Sequence, residues 1–185
     1  MFAMTRKSMK MMQRGFTLIE LLIVVIILAI LAAILIPQVS SSTVDAQEAA
    51  LDSNLNGLRS AIELYQVQHN GNYPGEAAAT GATCTVGVAA AGAINTASAV
   101  IAQLTMYSNA AGATCTGADP TTPLGPYVRK IPAEPINNLT TIAIQSSGAP
   151  LVAGTGGGWA YDTQTGQIIM NSTALDSNAV AYSTH

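Results

Sequence analysis

Charge is scarce in this sequence. Of 185 residues, 9% are charged and 49% hydrophobic, where a soluble globular domain carries about 25% charged residues. The few cations are also badly placed for nucleic acid. Arg6, Lys7, Lys10 and Arg14 crowd into residues 1–15, and the remainder sets Arg59, Arg129 and Lys130 against ten acids, a net −7. No nucleic-acid partner is predicted from such a body. Histidine is limited to His69 and His185, and cysteine to Cys84 and Cys115, with no CxxC pair. A zinc site is therefore short of ligands. Walker and dinucleotide glycine patterns are missing, as is any nucleophile-and-base constellation or carboxylate pair on one predicted face. Neither an enzyme nor a cofactor is predicted.

What is abundant is apolar sequence near the start. Residues 21–36 contain no polar side chain, and extending back to Phe16 adds only Thr17 and Glu20 as interruptions. As a helix, residues 16–36 span about 31 Å, close to a bilayer core of about 30 Å. The basic residues before it favour a cytoplasmic leader. An ordinary secretory signal is one reading, but its apolar region is about 7–15 residues long and ends at a small-x-small site. Here the block is longer and ends at Pro37-Gln38-Val39. A plain single-pass anchor fits the length and leaves Glu20 unexplained. A carboxylate at membrane depth is costly and marks function by default. If the chain is cut after Gly15, the new amino group of Phe16 lies about one helical turn from Glu20. A neighbouring copy's ammonium could then pair with that carboxylate and set the register between subunits.

The run Arg14-Gly15-Phe16-Thr17-Leu18-Ile19-Glu20-Leu21-Leu22-Ile23-Val24-Val25-Ile26 resembles the class III signal of type IV pilins and type II secretion pseudopilins, and the likeness continues to Pro37. The resemblance implies a prepilin peptidase cut between Gly15 and Phe16, N-methylation of Phe16, and retention of the apolar helix. Glycine before the cut offers no side chain to obstruct the peptidase. The resemblance further implies a precursor held in the bacterial inner membrane by a single pass, leader cytoplasmic and body periplasmic or external. An assembly platform would then move it into a surface filament of identical or related subunits, with Glu20 serving assembly. Pro37 lacks a backbone donor and clashes with the preceding turn, so it kinks the helix or ends it. Resumed periodicity beyond it favours a kink.

Beyond Ser40–Thr43 the apolar residues Val44, Leu51, Leu55, Leu58, Ile62 and Tyr65 recur at helical spacing, predicting an amphipathic continuation over 40–70. His69-Asn70-Gly71 through Pro74-Gly75 stops it. His69 is expected at the surface of that helix end. The predicted fold class is α+β, a pilin fold. Its long N-terminal helix covers about residues 16–70 and packs on a small antiparallel sheet in the C-terminal half. The expected organisation is a removed leader 1–15, a membrane or filament-core helix 16–39, the continuation 40–70, a variable loop region 71–123 and a sheet region 124–185.

Within 71–123 the sequence predicts one short helix, Ala97 to Tyr107, and otherwise loop. In an oxidising compartment Cys84 and Cys115 would form one disulfide enclosing about 30 residues; two unpaired buried thiols are the alternative. Residues 124–136, Leu-Gly-Pro-Tyr-Val-Arg-Lys-Ile-Pro-Ala-Glu-Pro-Ile, resemble the proline-rich crossing of pilin-like proteins. Residues 140–145 alternate as a strand. Residues 158–162 and 166–171 read as a hairpin turning at Thr163–Gly166. Trp159 and Tyr161 share a side of that strand, either as core against the helix stripe or as exposed stacking aromatics. The function expected is a structural filament subunit. The alternatives are a type II secretion pseudopilin, a minor pilin, or a membrane-anchored periplasmic enzyme or binding protein.

Overall fold

A computed structural model describes residues 16–185, apart from the side chains of residues 34–41. The chain divides into two compact units, residues 1–43 and 44–185. The order of elements is α1 (Leu18–Gln68), α2 (Ala97–Thr105), β1 (Tyr107–Ser108), β2 (Thr114–Cys115), β3 (Ile142–Gln145), β4 (Trp159–Asp162), β5 (Ile168–Met170) and a 3-10 turn (Tyr182–Thr184). The class is α+β, consistent with a pilin fold.

In the second unit the apolar stripe of α1 builds the core. Leu51, Leu55, Leu58, Ile62 and Tyr65 are fully buried. Burying one such side chain is worth about 1.5–3 kcal/mol. They pack with Val100 and Leu104 of α2, Trp159 and Tyr161 of β4, and Ile168 and Met170 of β5. The Trp159 and Tyr161 rings are therefore core. The helix stops where Asn70 and Gly71 take positive φ, at 58° and 90°. There the Gly71 N–H returns to the Gln66 carbonyl at 2.9 Å, satisfying a helix-end acceptor that would otherwise be left over.

β4 and β5 pair antiparallel around the turn at residues 163–167, with Trp159 opposite Met170. Gly166 closes that turn at φ 69°, and a Cβ there would meet the Tyr73 ring at 2.3 Å, so the position combines a left-handed backbone with no room for a side chain. β3 pairs parallel to β4, Ile142 opposite Trp159, whereas an antiparallel sheet was expected. The connection over residues 146–158 explains the difference. It is about as long as a parallel crossover requires, and far longer than a hairpin turn. A second ribbon, β1 with β2, lies in the region expected to be loop. Each of its strands is two residues long, too short to leave a periodic signature.

The proline-rich crossing is latched at several points. Tyr127 and Val128 donate their N–H groups to the Leu104 carbonyl at the end of α2, at 2.9 and 3.0 Å. Trp159 Nε1 donates to the Pro132 carbonyl at 2.9 Å. Buried Glu134 accepts from the backbone of Ile136 and Asn137 at 2.8 and 2.7 Å. From α1, Asn54 and Gln47 donate to the carbonyls of Ala133 and Pro135. Prolines remove donors but keep acceptors, and neighbouring elements use those acceptors.

Candidate assembly segment

Phe16 and residues 18–31 present their large apolar side chains to the outside, from 50 to 92% exposed. The helical start is fixed locally. Thr17 precedes α1, and its carbonyl accepts the Leu21 N–H at 3.3 Å. The Thr17 N–H and Oγ1–H both donate to Glu20 Oε2, at 2.9 and 2.8 Å, and the Glu20 N–H donates to Thr17 Oγ1 at 3.2 Å. This reciprocal arrangement is a capping box, which satisfies donors that the first helical turn leaves over. A carboxylate in the first turn also suits the positive end of the helix dipole. The Thr-x-x-Glu pattern was visible in the sequence, but Glu20 was read there for its cost in the bilayer and its pairing with a neighbouring subunit, not as a helix cap.

Gly15 lies outside the described residues. Phe16 is described, exposed and non-helical. The helix backbone continues through Pro37 to Gln68, so Pro37 does not terminate it. Among the described residues, no helix is long and apolar enough to cross a membrane. Of the expected span over 16–36, residues 34–36 are among those whose side chains lie outside the description.

In the second unit a disulfide joins Cys84 to Cys115 with Cα atoms 5.8 Å apart. Beside it, the Asp119 carboxylate gathers five donors. Thr85 gives N–H and Oγ1, Val86 gives N–H, and Thr121 gives N–H and Oγ1, at 2.5–3.0 Å. The hydrogen bonds from Thr121 and then Thr85 hold its pKa well below the usual carboxylate range.

His69 corrects the expectation of a surface histidine: it is 1% exposed. Its ring stacks on Tyr65 at 3.6 Å between centroids and meets Tyr127 edge-on at 6.0 Å. Nδ1 lies 2.8 Å from the Tyr65 carbonyl and Nε2 3.0 Å from Ser108 Oγ. Burial pushes its pKa below the ordinary histidine value. The helix-end position suggested exposure, but α1 places residue 69 four beyond Tyr65, on the buried stripe, where the β1–β2 ribbon covers it.

The prokaryotic N-terminal methylation motif matches residues 10–36. The chain is 43% identical over 65 residues to the type IV wide pilus major component PilA4 of Thermus thermophilus, covering 35% of this chain and half of that protein. It is 36% identical over 67 residues to the ComG operon protein 3 homolog of Bacillus licheniformis, covering 36% of this chain and 69% of that protein. This chain belongs to the type IV pilin and pseudopilin family. Type II secretion system core protein G of Pseudomonas aeruginosa is 40% identical over 62 residues, 34% of this pilin-like chain and 43% of that protein. The pilin-like chain thus spans half or less of two of these relatives. No solved structure matches it.

Proposed function

We propose that this chain is a structural subunit of a type IV pilus or closely related filament. Prepilin peptidase cuts it between Gly15 and Phe16, Phe16 is N-methylated, and an inner-membrane platform assembles it. The observation that carries this reading is the apolar surface of residues 16–31, uncovered around the whole helix. Exposed apolar surface of that extent is unfavourable in water, so it calls for lipid before assembly and for neighbouring helices afterwards. The second unit has no such demand, because its stripe is already buried.

Glu20 supplies register. Thr17 holds the carboxylate through one oxygen, Oε2, in the first helical turn, where a neighbouring subunit's Phe16 ammonium can meet it in a medium of low dielectric. The proline at 37 acts as a kink that lets the helix adapt when lipid is exchanged for protein. Similarity to core protein G supports a second reading, a type II secretion pseudopilin, which uses the same N-terminal segment.

Intact mass and N-terminal sequencing after shearing test the proposal. Long surface filaments whose chain begins with N-methylated Phe16 are expected. The same modified chain confined to the inner membrane would favour the pseudopilin, and a chain starting beyond Pro37 would overturn both readings. Glu20→Ala should still be cut and held in the membrane, yet assemble poorly beside wild-type subunits. Normal filament yield from that variant would refute the register role.

A further inference from the structure

Residues 174–185 fold back on α1 through polar contacts that the filament reading does not use. Asp176 shapes the segment, accepting the N–H groups of Asn178 and Val180 at 2.8 and 2.7 Å. Ser177 donates its N–H and Oγ–H to the two oxygens of Glu48 at 2.7 and 2.8 Å, and Tyr182 donates its hydroxyl to Glu48 at 3.3 Å. The Tyr182 ring is part of the main core. Arg59 Nη2 donates to the carbonyls of His185 and Ile168 at 2.7 and 3.4 Å.

His185 completes the set. Its Nδ1 lies 2.8 Å from Asp52 Oδ1 on α1, and its Nε2 lies 3.3 Å from Asp176 Oδ2 in the segment itself. The second contact is an ion contact without hydrogen-bond alignment. A neutral imidazole has one N–H and one lone pair, so it serves one carboxylate and turns a lone pair toward the other. The imidazolium alone presents a donor to both. The groups facing His185 are Glu48, Asp52, Arg59 and Glu63 from α1, Asp176 and Tyr182 from its own segment, and Tyr73 across the adjoining cleft of about 470 Å³. Acids outnumber Arg59 in this group.

We propose that residues 174–185 form a proton-operated clasp on α1, closed when His185 is charged and bridges Asp52 to Asp176, and loosened when it is neutral. The hydrogen bond from Asp52 raises the histidine's pKa against the opposing effect of burial. A raised value places the closing interaction fully in force below about pH 6.5 and loses it as pH rises through the folded-state value. Alkaline conditions then free the segment, and with it one wall of the cleft lined by Arg59, Glu63, Gln167 and Thr184.

Hydrogen–deuterium exchange on the full chain in detergent micelles, at pH 5.5 and 8.5 and corrected for intrinsic rates, tests the clasp. Protection across residues 174–185 should fall several-fold at the higher pH, while that of β4 and β5 stays constant. His185→Gln should give low protection at both pH values, and Asp52→Asn should flatten the pH response while retaining the fold. Equal protection at both pH values in the wild type would overturn the proposal. So would a pH-dependent loss that persists in His185→Gln. The measurement uses dispersed chains, so its failure leaves the filament reading untouched.

Discussion

Gln103 provides a strong test of how the second unit holds together. Its amide is fully buried on α2, accepts the Gly75 N–H at 2.6 Å, and donates to the carbonyls of Ala77 and Gly112 at 3.0 and 2.9 Å. One side chain thus joins the loop after α1, helix α2 and the loop before β2. Gln103→Met preserves length and approximate volume but satisfies none of the three groups. The Gly75 and Gly112 bonds are buried and the Ala77 bond part-buried. Each buried backbone group left without a partner costs about 1–3 kcal/mol. Partial access of water to Ala77 lowers its share, giving a loss of about 2–5 kcal/mol. At this chain size that corresponds to a fall in Tm of about 5–20 °C. Thermal unfolding of the full chain in micelles, followed by near-ultraviolet circular dichroism, reads it directly. A drop under about 2 °C would mean that the two loops are held to α2 by apolar packing, and that the amide network adds nothing.

Three further expectations follow from the same geometry. Cys84→Ser opens a loop of 31 residues, and chain entropy predicts a loss of about 3–4 kcal/mol, measurable by urea unfolding with and without reductant. His69, lowered by burial, contributes fully above about pH 6.5, and its contribution is lost as pH falls through the lowered value. Denaturation midpoints should therefore decline from pH 7.5 to 5 and flatten in His69→Gln. Asp119, held low by its hydrogen bonds, contributes above about pH 4, and that contribution is lost as pH falls through the folded-state value. Asp119→Asn should raise proteolytic cleavage between residues 83 and 88 at neutral pH while leaving β4 and β5 intact.

The parts legible in the sequence were those with long-range regularity. Leu51 to Tyr65 repeat with the helical period, so the buried face of α1 was readable before any coordinates. Gly166 and the apolar pairs around it announced the hairpin. Regularity was missing where the structure depends on single polar side chains meeting at a distance. Gln103 looks like any polar residue on a short helix, and its three partners come from two separate loops. His185 lies 133 residues from Asp52, and no local pattern connects them. β3 was found as a strand, but its parallel direction depended on the path of residues 146–158, which strand periodicity does not encode. At the N-terminus the motif at Gly15, Phe16 and Glu20 was plain, while the Thr17 partnership needed the capping pattern to be read alongside the family signal.

The acidic balance of the second unit acquires a different meaning from these contacts. A net −7 beyond the leader suggested a charged surface. Of the nine acids in residues 44–185, six accept hydrogen bonds from backbone N–H groups, and Asp119, Glu134 and Asp162 are buried. Glu76 accepts the Tyr73 N–H, Asp162 accepts those of Gly148, Gln164 and Thr165, and Glu134, Asp119 and Asp176 likewise secure their own loops. A hydrogen bond from a backbone N–H to a carboxylate is roughly twice as strong as one between neutral groups. That strength suits a body rich in Ala, Gly and Thr, whose small side chains bury little apolar surface per ordered residue. The acids are thus a substitute for core in residues 71–185. Neutralising the buried Asp119, Glu134 or Asp162 one at a time should loosen individual loops, with little effect on how the surface attracts partners.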